Sequence, residues 1–237
     1  VYVTHKGIEH RPDDVIAAPD VPSIYAVPVN FDSERVGERV LRKLGLKPRR
    51  RDLRPWKALV RTIHSANDEV RIGIVGKYFT TGNFVLSDVY LSVIEAIKHA
   101  AWDIGRKPVL SWLNSEEYER DPAKVAELHD LDGVIIPGGF GTRGVEGKIR
   151  AITELRTRGI PYLGLCYGMQ LACIEFARNV LKLKRAHTTE IDPKSPHPVI
   201  GLMAEQASRL ASAQYGGTMR LGAYACRVMA GTHAAAA

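Results

Sequence analysis

Cysteine is scarce, with three in 237 residues. An odd number without framework spacing excludes a disulfide scaffold and points to a reducing compartment. Long apolar runs are missing too: nothing approaches the ~18 consecutive apolar residues of a membrane span. The opening Val1-Tyr2-Val3-Thr4-His5 lacks the apolar core of a secretion signal. A cytoplasmic protein with no membrane partner is therefore expected. No Gly-x-x-x-x-Gly-Lys-Ser/Thr phosphate loop occurs. Aromatic residues make up only 7%, which bears on the net charge of +7. The basic stretch 35–61 has neither interleaved aromatics nor a zinc or helix-turn-helix pattern. It reads as a solvated helix plus a basic linker, and no nucleic-acid partner is expected.

What is present is an alternation of strand and helix from residue 70 onward. Residues 70–75, 109–113, 133–136 and 160–165 read as buried strands; 86–101, 123–128, 146–158 and 169–177 read as helices. Asp121-Pro122 supplies an N-cap and a first-turn proline to the second of these helices. Such alternation predicts an α/β fold with a parallel sheet flanked by helices and ligands at the carboxyl ends of its strands. The first ~65 residues do not keep this rhythm. There 20–25 reads as extended, 33–44 as a helix and 47–55 as a linker, a piece too short for a good core of its own.

The most informative stretch is Gly164-Leu165-Cys166-Tyr167-Gly168. Between a strand and a helix, Gly-X-Cys-X-Gly reads as a nucleophile elbow with cysteine in the serine position. The glycines are expected because neighbouring backbone leaves no room for Cβ atoms. The turn would expose the sulfur at a helix N-terminus, where N–H groups and the dipole favour a thiolate. Cys173 and Cys226 lack this context and read as structural filler. Gly139-Phe140-Gly141-Thr142-Arg143-Gly144 matches a dinucleotide fingerprint, but the next strand ends at Cys166 and not at an acid, so that reading falls. Pro137-Gly138-Gly139 instead leaves a neighbouring strand at the same end of the sheet. Its backbone N–H, with that of Tyr167, could form an oxyanion hole.

On these motifs the sequence resembles a class I glutamine amidotransferase, specifically the glutaminase domain of the CTP synthase family. The residues carrying the resemblance include Val75-Gly76-Lys77-Tyr78, Pro137-Gly138-Gly139-Phe140-Gly141, Arg143-Gly144-Val145-Glu146-Gly147-Lys148, Pro161-Tyr162-Leu163-Gly164-Leu165-Cys166-Tyr167-Gly168-Met169-Gln170 and Gly216-Gly217-Thr218-Met219-Arg220-Leu221-Gly222. The resemblance implies residues 1–46 as the C-terminal remnant of an α/β synthetase domain, 47–69 as an interdomain linker and 70–237 as the amidotransferase domain, C-terminally truncated, so that the chain as a whole is truncated at both ends relative to the family. It implies a ligase of pyrimidine biosynthesis, making CTP from UTP with ATP and glutamine. Cys166 would be the catalytic nucleophile, forming a glutamyl thioester and releasing ammonia. Gly139 and Tyr167 would be oxyanion donors, with Gly168, Met169 and Gln170 along the glutamine pocket. Glu190 would receive the α-amino group through a charge-assisted hydrogen bond. Arg143 and the lid at 206–221 are associated with GTP activation, and Asp20 and Val21 with the ATP adenine. The family uses ATP with Mg²⁺ and assembles as a homo-tetramer; no cofactor and no metal are expected on this segment itself.

The sequence also departs from the family. A cysteine amidotransferase needs a histidine base oriented by a carboxylate, and the family's His-Pro-Glu motif does not occur; His197-Pro198 is followed by Val199. Two other readings therefore stand beside the first. One is an inactive domain that binds glutamine or a partner. The other is a different cysteine hydrolase, which would need a base close behind the elbow, and 167–184 holds no histidine.

Overall fold

The structure is a computed structural model. It describes residues 14–49, 51–77, 90–139, 141–201, 223 and 225–236, together with the backbone of short strands at 3–5, 8–10, 80–81 and 84–85. The expected lid at 206–221 lies outside the described residues. Two compact units are found: Val1–Gly139 with Arg143–Met169, and Phe140–Thr142 with Gln170–Ala237.

The first unit opens with an antiparallel pair, β1 (Val3–His5) and β2 (Ile8–His10). Helices α1 (Val27–Ser33), α2 (Val36–Lys43) and α3 (Arg54–Ser65) follow. The helix expected over 33–44 is found as α2, and α1 precedes it without having been expected. Pro28 in the first turn of α1 starts a helix early, and Arg35 at φ 55° breaks it. In the basic stretch read as linker, Pro55 occupies the first turn of α3 and Asp52 accepts from the Arg54 N–H at 3.0 Å. Tyr25 joins this segment to the rest: its carbonyl accepts from Trp56 Nε1 at 2.7 Å and its hydroxyl donates to Glu95 at 2.7 Å. Burial, then Glu95, pushes the Tyr25 phenol up to about 12.

The central sheet contains β3 (Glu69–Gly76), β6 (Lys107–Asn114), β7 (Gly133–Ile136) and β8 (Tyr162–Gly164), all parallel, in the order β6-β3-β7-β8. The short strands β4 (Thr80–Thr81) and β5 (Phe84–Val85) pair antiparallel. Alternation along the strands feeds two cores. Ile72, Ile74, Leu110, Trp112 and Ile135 pack with Ile94 and Ile97 of α4 (Leu91–Asp103). On the other side, a Cβ at Gly73 would meet Leu113, Leu131 and Val134. Helix α6 (Val145–Arg158) buries Ile149, Ile152 and Leu155 completely or nearly so. An apolar groove beside α4, lined by Val93, Ile97, Ile135 and Leu163 among others, holds no carboxylate, amine, imidazole or thiol and so offers no chemistry of its own.

Helix α6 is seated on α5 (Ser115–Arg120) by two features. The Glu119 carboxylate accepts from the Glu146 N–H at 3.0 Å, satisfying a first-turn donor. At Gly147 the backbones touch: an added Cβ would lie 1.8 Å from the Ser115 carbonyl oxygen. Helix α7 (Tyr167–Asn179) starts at the elbow, with residues 167–169 in the first unit and the rest in the second, where β9 (His187–Thr188) pairs parallel with β10 (Pro198–Ile200). Among the described residues no helix is long and apolar enough to cross a membrane.

Gly147→Ala is expected to destabilise the protein by about 3 kcal/mol or more, because backbone and not a flexible side chain must move. Gly37→Ala, in α2 with nothing within 4 Å, should instead stabilise by about 0.5–1 kcal/mol. Urea unfolding of both variants checks the contrast.

Candidate functional site

Strand order places a topological switch between β3 and β7, and the carboxyl ends of β3, β7 and β8 converge there. Lys77 follows β3, Pro137-Gly138-Gly139 follows β7, and Cys166 follows β8. The turn at Cys166 is as sharp as the glycine pattern requires. Cys166 itself adopts φ 51°, a left-handed conformation uncommon for a residue with a Cβ. The Leu165 N–H donates to the Ile136 carbonyl at 2.9 Å, and the Gly168 N–H to the Leu165 carbonyl at 2.9 Å. A Cβ at Gly168 would sit 1.9 Å from the same Ile136 oxygen, and one at Gly164 would sit 2.6 Å from the Gly168 carbonyl carbon. Both glycines are therefore imposed by backbone crossing backbone.

The turn leaves Cys166 exposed immediately ahead of α7, while Tyr167 keeps only 3% exposure and Gly168 is buried. Gly138 closes the other side. A Cβ on it would lie 3.3 Å from Cys166 Cβ and 3.7 Å from Sγ, so glycine lets the loop approach the sulfur. Gly139, the expected oxyanion donor, is the next residue and half-buried; Met169 is exposed at the start of α7.

Beneath the loop is a residue that the pattern of the sequence did not single out. Lys148, on α6, is 1% exposed and donates through Nζ to the Pro137 carbonyl at 3.1 Å. Burial pushes its amine down to about 8, the neighbouring Lys77 charge adds to this, and the Cys166 sulfur opposes it. A lysine inside a helix looks solvent-facing in sequence, and only its place on the otherwise buried stripe of Val145, Ile149 and Ile152 could have marked it.

Arg143 is paired through Nε with Glu116 at 2.9 Å and donates to the Lys77 carbonyl at 3.4 Å. Asp20 and Val21 sit in the extended stretch before Ile24; among the described residues no hydrogen bond or ion pair ties them to the elbow. Gln170, half-buried, and Glu190, exposed in the turn after β9, belong to the second unit. Cys173 and Cys226, read from sequence as filler, are both exposed, and none of the three cysteines is in a disulfide. No group of three or more candidate metal ligands occurs among the described residues.

The family model "Glutamine amidotransferase class-I" matches residues 85–234. A CTP synthase of Synechococcus sp. (strain JA-3-3Ab) is 48% identical over 222 residues, 93% of this chain and 39% of that protein. A CTP synthase of Pyrococcus abyssi is 46% identical over 218 residues, 92% of this chain and 39% of that one. The chain thus spans about two fifths of the length of these relatives. Among solved structures, the Trypanosoma brucei CTPS glutaminase domain with bound acivicin superposes with a TM-score of 0.52 at 36% identity, covering 57% of this chain and 50% of that one.

Lys148 has a measurable thermodynamic signature. Its amine titrates near 8 in the folded protein and near 10.5 when exposed. Between those values the unfolded chain holds more protons, so stability rises with pH; below about 8 the full cost of burying the charge is present. Lys148→Met should abolish this rise and stabilise the protein at pH 7 by on the order of 3 kcal/mol at most. Unfolding free energies of the two proteins from pH 7 to 10.5 should converge; parallel curves would contradict the assignment.

Proposed function

The chain belongs to the class I glutamine amidotransferase family, and we propose that it is the glutamine-hydrolysing portion of a CTP synthase. The observation that carries the reading is the left-handed Cys166, exposed in a glycine-flanked turn with Gly138 against its sulfur. The Cys166 thiolate attacks the carboxamide carbon of glutamine. The carbonyl oxygen becomes an oxyanion that the N–H groups of Gly139 and Tyr167 receive. The C–N bond breaks, ammonia leaves with a proton, and water then cleaves the glutamyl thioester to glutamate.

In this reading Gly168, Met169 and Gln170 line the glutamine pocket and the Glu190 carboxylate pairs with the α-ammonium. Arg143 and the lid respond to GTP, and Asp20 with Val21 lies near the ATP adenine. UTP, ATP and Mg²⁺ belong to the synthetase portion of a full-length, tetrameric enzyme that uses the ammonia to make CTP. Three cysteines without a disulfide among them suit a cytoplasmic location. A second reading, a domain that binds glutamine without turning it over, draws on the absence of a His-Pro-Glu motif from the 237 residues.

A glutamine-mimicking electrophile should modify Cys166 well before Cys173 or Cys226, although all three are exposed; peptide mapping that found equal labelling would sink the assignment. The purified 237-residue chain should form no CTP and release ammonia from glutamine only in traces. Robust glutaminase activity would show that a base other than that of a His-Pro-Glu motif is in place.

A further inference from the structure

Lys148 takes no part in the acyl transfer just described, yet the fold keeps it dry. A methionine would fill similar volume without the cost of a buried charge. The retained ammonium spends one hydrogen bond on one particular acceptor, the Pro137 carbonyl at 3.1 Å. That acceptor belongs to the peptide joining Pro137 to Gly138, which is trans, as are all peptides among the described residues. In a planar trans peptide the C=O and N–H point in opposite directions. Pinning the carbonyl toward α6 therefore turns the Gly138 N–H to the other side and sets the plane from which Gly138 and Gly139 depart. Two successive glycines have little stiffness of their own, and Gly138 passes within van der Waals range of Cys166. An anchor at Pro137 is what such a loop needs to present an N–H at a fixed point.

We propose that Lys148 is a positioning residue for acyl transfer at Cys166: by holding the Pro137 carbonyl it fixes the Gly138–Gly139 loop and so the N–H that meets the oxyanion. The proposal rests on the reading of Cys166 as an acylated thiol. It explains why a residue that lowers stability at neutral pH sits directly behind the loop.

Two reagents applied to the whole 237-residue chain separate positioning from other roles. Acetylation of Cys166 by p-nitrophenyl acetate passes through an oxyanion, whereas alkylation by iodoacetamide does not. Lys148→Met should slow acetylation at least about tenfold while changing alkylation less than roughly threefold, with Cys173 alkylation as the reference for an intact fold. Unchanged acetylation, or equal slowing with both reagents, would overturn the proposal. A parent chain that is not acetylated at Cys166 at all would count against the acylated-thiol reading and not against Lys148. A measurement without mutation covers that case and a variant that does not fold. In carbon and nitrogen NMR the Pro137 carbonyl and the Gly138 and Gly139 amides should shift together as Lys148 loses its proton, below the ordinary lysine range; resonances flat from pH 7 to 10.5 overturn it.

Discussion

The Ile136 carbonyl is the point on which this site depends. It accepts the Leu165 N–H at 2.9 Å and leaves no room for a Cβ at residue 168. One oxygen thus sets the distance between β7 and the start of α7. That distance holds Cys166 at φ 51°, a conformation costing roughly 1–2 kcal/mol for a residue with a Cβ. The cost is borne because β7 is buried between its neighbours and cannot retreat: Ile136 is fully buried and Val134 is 2% exposed. Strain at the nucleophile and rigidity of the sheet are two sides of one arrangement.

The next residue along the same strand end carries the second constraint. The Pro137 carbonyl faces the dry ammonium of Lys148, while Gly138 faces the sulfur. Helix α6, which brings Lys148 there, is seated by the Gly147–Ser115 backbone contact and by Glu119 at its first turn. Packing of α5 on α6, remote from the chemistry, therefore reaches the β7 loop through one lysine. Stability is given up at Lys148 and recovered in the apolar stripe around it, a distribution common where a site must hold a fixed shape.

Parts of this were legible in the sequence. Strand 133–136 is found at its expected bounds because a short apolar run between turn signals has few alternatives within a parallel sheet. The expected strand 160–165 shrinks to Tyr162–Gly164: the Ile160 N–H is used to cap α6 on the Leu155 carbonyl, and Leu165 has entered the elbow. The glycines of the elbow were legible because glycine at a tight crossing has no substitute. Lys148 was not, since periodicity cannot tell a lysine that snorkels from one that is sealed in. Nor could spacing choose between Gly138 and Gly139, and it is Gly138 that stands against the sulfur. The exposure of Cys173 went against its residue type because α7 turns that face outward.

The central claim is that Cys166 is acylated by the carboxamide of glutamine. Its most direct test is acid quenching of the chain with an activated γ-glutamyl ester, whose leaving group departs without a base, followed by mass spectrometry of the peptide containing Cys166. The account predicts a glutamyl adduct on Cys166 that hydroxylamine removes and that is absent from Cys166→Ala. An unmodified Cys166 peptide under these conditions, or the same adduct on Cys173 or Cys226, would contradict it.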